Sequence, residues 1–179
     1  MTETPADFHI RLATPADAMA IERLIDRSVN GLQAEDYSPA QRQGAIGTVF
    51  SLDPQLIEDG TYFAVDAPDG ALAGCGGWSF RRKGHGGDAG TERLDPAADA
   101  ARIRAFFVDP AWARQGIGSL IMRACEEAAR AAGFRALELT ATVTGEHLYA
   151  RHGFVPERRF DLALPNGEGL PVILMRKRI

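Results

Sequence analysis

The sequence predicts a mixed α/β fold whose central sheet is mostly antiparallel and is flanked by helices. A strand, a glycine-containing loop, a helix and another strand follow one another over 102–140, which implies a right-handed crossover and parallel pairing of the two strands. Two other strand pairs, over 61–80 and 160–176, are joined by the turn signals Pro68-Asp69-Gly70 and Pro165-Asn166-Gly167, which predict antiparallel hairpins.

Length and charge limit the possible functions. We expect one domain over 1–179, with a core over about 8–178, because 179 residues are enough for one sizeable core. The net charge of −4 and the lack of a basic run argue against a nucleic-acid surface. No apolar stretch is long enough to span a membrane, and the first residues lack a signal-peptide pattern, so the expected location is the cytoplasm.

A threonine or serine followed by proline marks the start of each N-terminal helix. A short edge strand is predicted over 8–13. Thr14-Pro15 then begins a helix over 14–30, because a hydroxyl can cap the free N–H groups and proline fits the first helical position. Ser38-Pro39 gives the same signal for a second helix, over 38–50.

The hairpin over 61–80 follows a short helical turn over 53–59. Its second strand carries three glycines, Gly74, Gly76 and Gly77. Glycine weakens a strand unless another backbone or a ligand comes close. A bulge that bends the sheet is the alternative, and the sequence leaves both interpretations open.

The segment 81–100 is glycine-rich and charged, which predicts a mobile hairpin loop. It contains one histidine, His85, and a single histidine does not predict a metal site, so no metal is expected. Cys75 and Cys125 have no motif spacing and are expected to be buried, reduced thiols.

The strand over 102–108 is apolar on both faces, as expected for a strand inside a sheet. The residues of the two faces are Ile103, Ala105 and Phe107 on one and Phe106 and Val108 on the other. Pro110 cannot continue a central strand, so the strand ends before it. Beyond Gly118 the apolar spacing becomes helical, and Gly133 is placed to cap the helix end.

Gly116 and Gly118 lie between this strand and this helix, where glycine lets a ligand approach the backbone. The first N–H groups of a helix have no internal partners, so with the helix dipole they favour an anion such as a diphosphate, beside the cation of Arg114. A tight turn without a ligand is the alternative. Two other phosphate loops do not fit, because no lysine follows Gly118 and Ile121 replaces the third glycine of a dinucleotide fingerprint.

Two stretches resemble motifs of one enzyme family, the GCN5-related N-acetyltransferases (GNAT). Residues 113–118 are similar to motif A, Gln/Arg-x-x-Gly-x-Gly/Ala, although Ala113 departs from the first position and Arg114 follows one place later. Tyr149 with Gly153-Phe154 resembles the end of motif B, in which tyrosine precedes x-x-x-Gly-Phe. The resemblance covers about 8–178.

The resemblance implies a GNAT fold in which the strands near 102–108 and 136–140 splay apart. It also implies acetyl-CoA as the donor, held by the loop amides and by exposed strand backbone at 106–108. The residues that it assigns to this site are Phe106, Phe107, Val108, Arg114, Gln115, Gly116, Ile117, Gly118, Ser119 and Thr142. Thr142 stands where the family often has an asparagine.

The chemistry implied by the resemblance is direct transfer to a primary amine in a ternary complex. Tyr149 would protonate the leaving thiolate; alternatively its ring packs in the core and its hydroxyl caps a backbone group. A backbone amide near Val108 is expected to stabilise the developing negative charge. For the base, Glu138, Glu35, Asp36 and a chain of water molecules all remain open.

The resemblance places the acceptor site beside the first two helices, with Asp36, Tyr37 and Trp78 as candidate contacts. The amine stays open, from amino acids and other small molecules to peptide termini and protein lysines. The family also suggests a homodimer through the C-terminal strands. A CoA-binding sensor without turnover and a non-enzymatic interaction domain are the competing functional classes.

Overall fold

The computed structural model describes residues 7–82 and 92–179. The strands are β1 (His9–Leu12), β2 (Tyr62–Asp66), β3 (Leu72–Ser79), β4 (Ala101–Val108), β5 (Ala136–Thr142), β6 (Val155–Ala163) and β7 (Gly169–Arg178). The helices are α1 (Ala18–Leu32), α2 (Pro39–Ala45), α3 (Pro54–Glu58), α4 (Ile117–Ala131) and α5 (Glu146–Arg151). The glycine tract of the predicted 81–100 loop, with His85, lies outside the described residues.

The seven strands form one mixed sheet in the order β1-β2-β3-β4-β5-β7-β6. Only β4 and β5 are parallel among these neighbours, and every other pair is antiparallel. The mostly antiparallel sheet, the parallel pair and both predicted hairpins are therefore confirmed.

Two apolar cores lie on opposite faces of the sheet, since the adjacent β2 residues Ala64 and Val65 point into different cores. The α4 core contains Cys125, and the core beneath α1 contains Cys75. Both cysteines are buried and free, as predicted. No helix in the described ranges is both long and apolar enough to cross a membrane.

β4 contains a bulge that its sequence did not predict. Ala105 has a φ of 54°, in the left-handed region that non-glycine residues seldom adopt. The pairing with β3 shifts at the same place, because Phe107 lies opposite Cys75 whereas Arg104 lies opposite Gly77. One extra residue is thus inserted into β4.

The bulge changes which β4 side chains share a face. Ile103 packs in the α4 core, whereas Ala105 and Phe107 belong to the core beneath α1. The prediction that these three residues share a face is therefore wrong. The Tyr62 hydroxyl donates a 2.9 Å hydrogen bond to the Ala105 carbonyl, which anchors the bulge to β2.

The β3 glycines make room for close neighbours. A Cβ on Gly74 would lie 2.5 Å from Ile117, one on Gly76 would lie 2.4 Å from the Phe106 ring, and one on Gly77 would lie 2.5 Å from a backbone carbonyl oxygen. Both interpretations of the β3 glycines are therefore correct in part. Other groups approach this strand closely, but they belong to the protein and not to a ligand, and a bulge lies in the adjacent strand.

Two helix boundaries differ from the predictions. α1 continues past residue 30 to Leu32, with Gly31 inside it. Glycine fits this position because a Cβ there would lie 2.5 Å from Pro110. α2 ends at Ala45 instead of near residue 50, and Gly47, with a φ of 80°, then turns the chain.

Candidate active site

The site is a gap between the parallel strands. β4 and β5 pair only at Ala101 with Leu137 and at Arg102 with Glu138. Beyond these pairs the strands separate, and a cleft of about 420 Å³ opens between them. The predicted splay of the two strands is thus present.

Backbone of β4 faces this gap. The Asp109 N–H donates to the Ala73 carbonyl on β3 at 2.9 Å. Because backbone groups alternate in direction along a strand, the N–H of Val108 points away from β3. β5 offers it no ladder partner at this level, since the two strands pair only at 101–102 of β4.

The loop between β4 and α4 presents N–H groups that lack partners. Arg114 and Gly116 both have left-handed backbone, with φ of 65° and 86°, and Gly116 immediately precedes α4. Within the part of the chain that the structure describes, the N–H groups of 115–119 donate no hydrogen bond. Such a cluster at a helix start, aided by the dipole, fits an anion.

The first three residues of α4 pack against protein instead of facing open space. A Cβ at Gly118 would lie 2.8 Å from Leu148 in α5, so this glycine allows α4 and α5 to pack. Ser119 Oγ is 2.9 Å from Nε2 of His152, and burial lowers the pKa of that histidine. Ile117 is buried in the α4 core. These three residues would meet an anion mainly through backbone.

Tyr149 of α5 lines the cleft. Its ring centroid lies 6.1 Å from that of Phe106 and 6.0 Å from that of Phe154, both edge-on. Its hydroxyl has no hydrogen-bond partner among the described residues, and burial raises its pKa above the ordinary value. The phenol is therefore an uncommitted proton donor at the cleft. Thr142, in contrast, uses its hydroxyl to accept from the Gly145 N–H at 3.0 Å.

Glu138 lies at the closed end of the gap, between two arginines. One carboxylate oxygen is bonded to Arg102, and the other accepts from Nε of Arg176 at 2.6 Å. Two guanidinium groups stabilise the ionised carboxylate and occupy both oxygens. This pairing argues against a base role for Glu138.

The wall remote from α4 consists of residues that the sequence analysis did not select. They are Gln33 after α1, Val49 and Phe50 after α2, Arg104 of β4, and Arg158 and Phe160 of β6. Arg104 carried a signal, because a charged residue inside an apolar strand needs a polar neighbour or water. Arg158 and Phe160 carried none, since their position depends on the register of a distant strand.

Comparison with known proteins identifies the family. Residues 27–154, well over half of the chain, match the model of the acetyltransferase (GNAT) family. The chain belongs to the GNAT family. No curated protein matches it in sequence.

Solved structures confirm the GNAT fold. A GCN5-related N-acetyltransferase from Rhodopseudomonas palustris is similar with a TM-score of 0.75 and 21% identity, over 100% of this chain and 99% of that one. PaiA N-acetyltransferase from Thermoplasma acidophilum, solved with coenzyme A, gives 0.68 and 15%, over 97% and 99%. A GNAT acetyltransferase from Listeria monocytogenes gives 0.64 and 21%, over 96% and 95%.

Tyr37, predicted as an acceptor contact of this GNAT protein, is instead part of the core beneath α1. Its side chain is only 2% exposed. Its hydroxyl donates to the Pro171 carbonyl at 2.6 Å and accepts from the Val143 N–H at 2.9 Å. Tyr37 therefore joins the ends of β5 and β7 and does not line the cleft.

The other two predicted acceptor contacts also lie outside the cleft lining. Trp78 is buried in the α4 core, with its ring centroid 5.9 Å from that of Phe80 and 6.0 Å from that of Phe134. The exposed Asp36 carboxylate accepts from the Thr144 hydroxyl at 2.7 Å. The structure thus does not bring the three predicted residues together.

We expect Tyr37→Phe to lower the free energy of unfolding by about 1–3 kcal/mol, because the Val143 N–H and the Pro171 carbonyl would lose a buried partner. Urea unfolding measures this change. Asp36→Asn is the neighbouring control and should have little effect, since that side chain is exposed. Unchanged stability in Tyr37→Phe, together with a raised KM for the acceptor, would instead support the prediction that Tyr37 contacts the acceptor.

Proposed function

We propose that this protein transfers the acetyl group of acetyl-CoA directly to a primary amine while both substrates are bound. The observation that carries the proposal is the set of partnerless N–H groups at 115–119, placed beside a gap lined by β4 backbone and by Tyr149. We further propose that the whole chain forms one such domain.

The donor half would hold acetyl-CoA through backbone. The N–H groups of 115–119 suit the diphosphate, with Arg114 and Gln115 exposed beside them. The β4 edge at 106–108 suits an extended, amide-bearing arm. The coenzyme A in the structurally similar PaiA protein supports this assignment. When bound, acetyl-CoA supplies the acetyl group as a thioester.

Two groups of the chain act on the reacting atoms. The Val108 N–H, which faces the gap, donates to the carbonyl oxygen as negative charge develops there. The Tyr149 hydroxyl holds the proton that the departing sulfur needs. Because burial raises its pKa above the ordinary value, this phenol stays protonated through neutral and mildly alkaline pH.

Direct transfer is supported by the position of the thiols. Cys75 and Cys125 lie in the two cores, and neither lines the cleft. Burial raises the pKa of the Cys75 thiol to about 12, so little reactive thiolate forms near neutrality. Within the cleft lining that the structure describes, no thiol is available to carry the acetyl group.

The proton of the acceptor ammonium leaves to water in this scheme. Glu138 is the one carboxylate among the described residues of the cleft lining, and both of its oxygens are paired with arginines.

Tyr149→Phe tests the proposed acid, because it keeps the ring packing and deletes only the hydroxyl. We expect turnover to fall by at least about tenfold, the lower range for loss of a positioned acid. Acetyl-CoA affinity and melting temperature should hardly change, since the hydroxyl has no partner to lose. Single-turnover kinetics with the best amine of a screened panel, calorimetry and thermal melting measure the three quantities.

Tyr37→Phe is the matched control, since it deletes a phenolic hydroxyl with two partners and should lose stability while keeping turnover. Full turnover of Tyr149→Phe, where chemistry limits the rate, would contradict the acid role. CoA binding without transfer to any amine of the panel would contradict the proposed enzymatic activity and would favour a CoA-binding sensor without turnover.

A double-mutant cycle separates the structural and ligand roles of Gly118. Gly118→Ala should destabilise the protein by about 1 kcal/mol or less, because its Cβ would lie 2.8 Å from the flexible end of Leu148, which must shift, whereas alanine favours the helix more than glycine does. In the Leu148→Ala background the same change should cost much less. The double variant should bind CoA within about threefold of Leu148→Ala alone, since the N–H groups are kept.

Thermal melting and calorimetry with CoA complete this cycle. If the double variant regains stability but still binds CoA far more weakly than Leu148→Ala, the missing side chain of Gly118 serves the ligand. If a second variant, Gly116→Val, binds CoA with unchanged affinity, the proposal that the diphosphate binds at this loop is wrong.

A further inference from the structure

The half of the cleft remote from α4 combines an apolar lining with positive charge. Its apolar residues are Val49, Phe50, Phe160, Leu162, Val172 and Leu174. The charged residues of the cleft are Arg102, Arg104, Arg158 and Glu138. Glu138 is bonded to Arg102 and also to Arg176 outside the cleft, so it is not available to Arg104 or Arg158.

Arg158 is the least committed of these cations. Its guanidinium carbon lies 4.5 Å from the centroid of Phe160, two residues along β6 on the same face. Among the described residues no carboxylate pairs with it. Its neighbour Arg159 points to the other face and pairs with Glu146 of α5. Arg158 therefore presents a guanidinium to the cleft, backed by an aromatic ring.

Arg104 of β4 supplies a second cation to the cleft. It lies on β4 directly before the bulge residue Ala105, and burial lowers its pKa. Its ion pair with Asp53 is long, at 3.6 Å between Nη1 and Oδ2, so the desolvated charge is only partly compensated. An anion in the cleft would complete that compensation.

Gln33 adds an uncommitted amide to the same space. The residue is 6% exposed and lines the cleft. Its Oε1 is buried and has no hydrogen-bond partner among the described residues. Buried polar atoms are nearly always paired in folded proteins. This oxygen can only accept a hydrogen bond, so it suits a donor group of the ligand, such as its amine, and not a carboxylate.

We infer that the acceptor is a small amine that also carries a carboxylate, in the class of free amino acids with an apolar side chain. The carboxylate lies between Arg104 and Arg158, and the apolar part packs on Phe50 and Phe160. The cleft volume of about 420 Å³, shared with the donor, favours a small molecule over a folded protein surface. The inference rests on the proposed amine acetylation and specifies its acceptor.

Matched acceptors test the carboxylate. Leucine, methionine and phenylalanine are each compared with their amide and with the amine that lacks the carboxyl group, and release of CoA thiol is followed. The amine of the amide is less basic than that of the free acid, so more of it is unprotonated near neutral pH. Without a contact to the carboxylate, the amide should therefore react faster than the free acid. We expect the opposite order, with kcat/KM for at least one free acid about tenfold or more above its amide, as for loss of a charge-assisted contact.

Arg158→Gln and its neighbour Arg159→Gln provide matched variants, because each removes one exposed guanidinium from β6 and only Arg158 lines the cleft. Arg158→Gln should raise the KM for the free acid about tenfold and reduce the acid-over-amide preference. The KM for acetyl-CoA should stay unchanged. Arg159→Gln should match the wild type in all three values. Arg104→Gln, checked for folding by thermal melting, should repeat the result of Arg158→Gln.

The two proposals fail in different ways. Transfer to amides or simple amines as fast as to every free acid would overturn the carboxylate inference and leave amine acetylation intact. An acid preference that survives in both Arg158→Gln and folded Arg104→Gln would overturn it as well. CoA binding without transfer to any acceptor would overturn the proposed function, and this inference with it.

Discussion

The early end of hydrogen bonding between β4 and β5 is the constraint on which the rest of the structure depends. Buried backbone N–H and C=O groups need partners, so a sheet does not normally open in its middle. Here it opens because each strand is held from its other side. β5 is paired with β7 from Ala136 to Thr142, and β4 is paired with β3 from Arg102 to Val108. The free edges are left to line a cleft.

Two devices keep the opening in place. At its closed end, the Glu138 carboxylate joins Arg102 of β4 to Arg176 of β7, so an ion pair supports the last paired residues. Further along, the bulge at Ala105 changes which β4 side chains lie on each face of the sheet. The Tyr62 hydroxyl anchors the bulge by its hydrogen bond to the Ala105 carbonyl. The first device joins the strands, and the second sets which β4 side chains face the cleft.

The features that could be predicted from the sequence have local causes. The two hairpin turns, the Ser38 cap before Pro39 and the glycine loop before α4 each depend on a few adjacent residues. The bulge could not be predicted, because alanine rarely adopts a φ of 54° and does not signal it. Tyr37 finds its partner Pro171 at a sequence distance of 134 residues, and Arg158 follows a register shift in β6. Such placements depend on tertiary packing, which neighbouring residues do not encode.

The contacts between α4 and α5 have a consequence for how these two helices move. Leu148 fits over Gly118, and His152 is bonded to Ser119, so the helix that carries Tyr149 is attached to the loop that carries the free N–H groups. Parts joined in this way open and close as one cooperative unit. A ligand that restrains the loop would therefore also restrain the helix that carries the phenol.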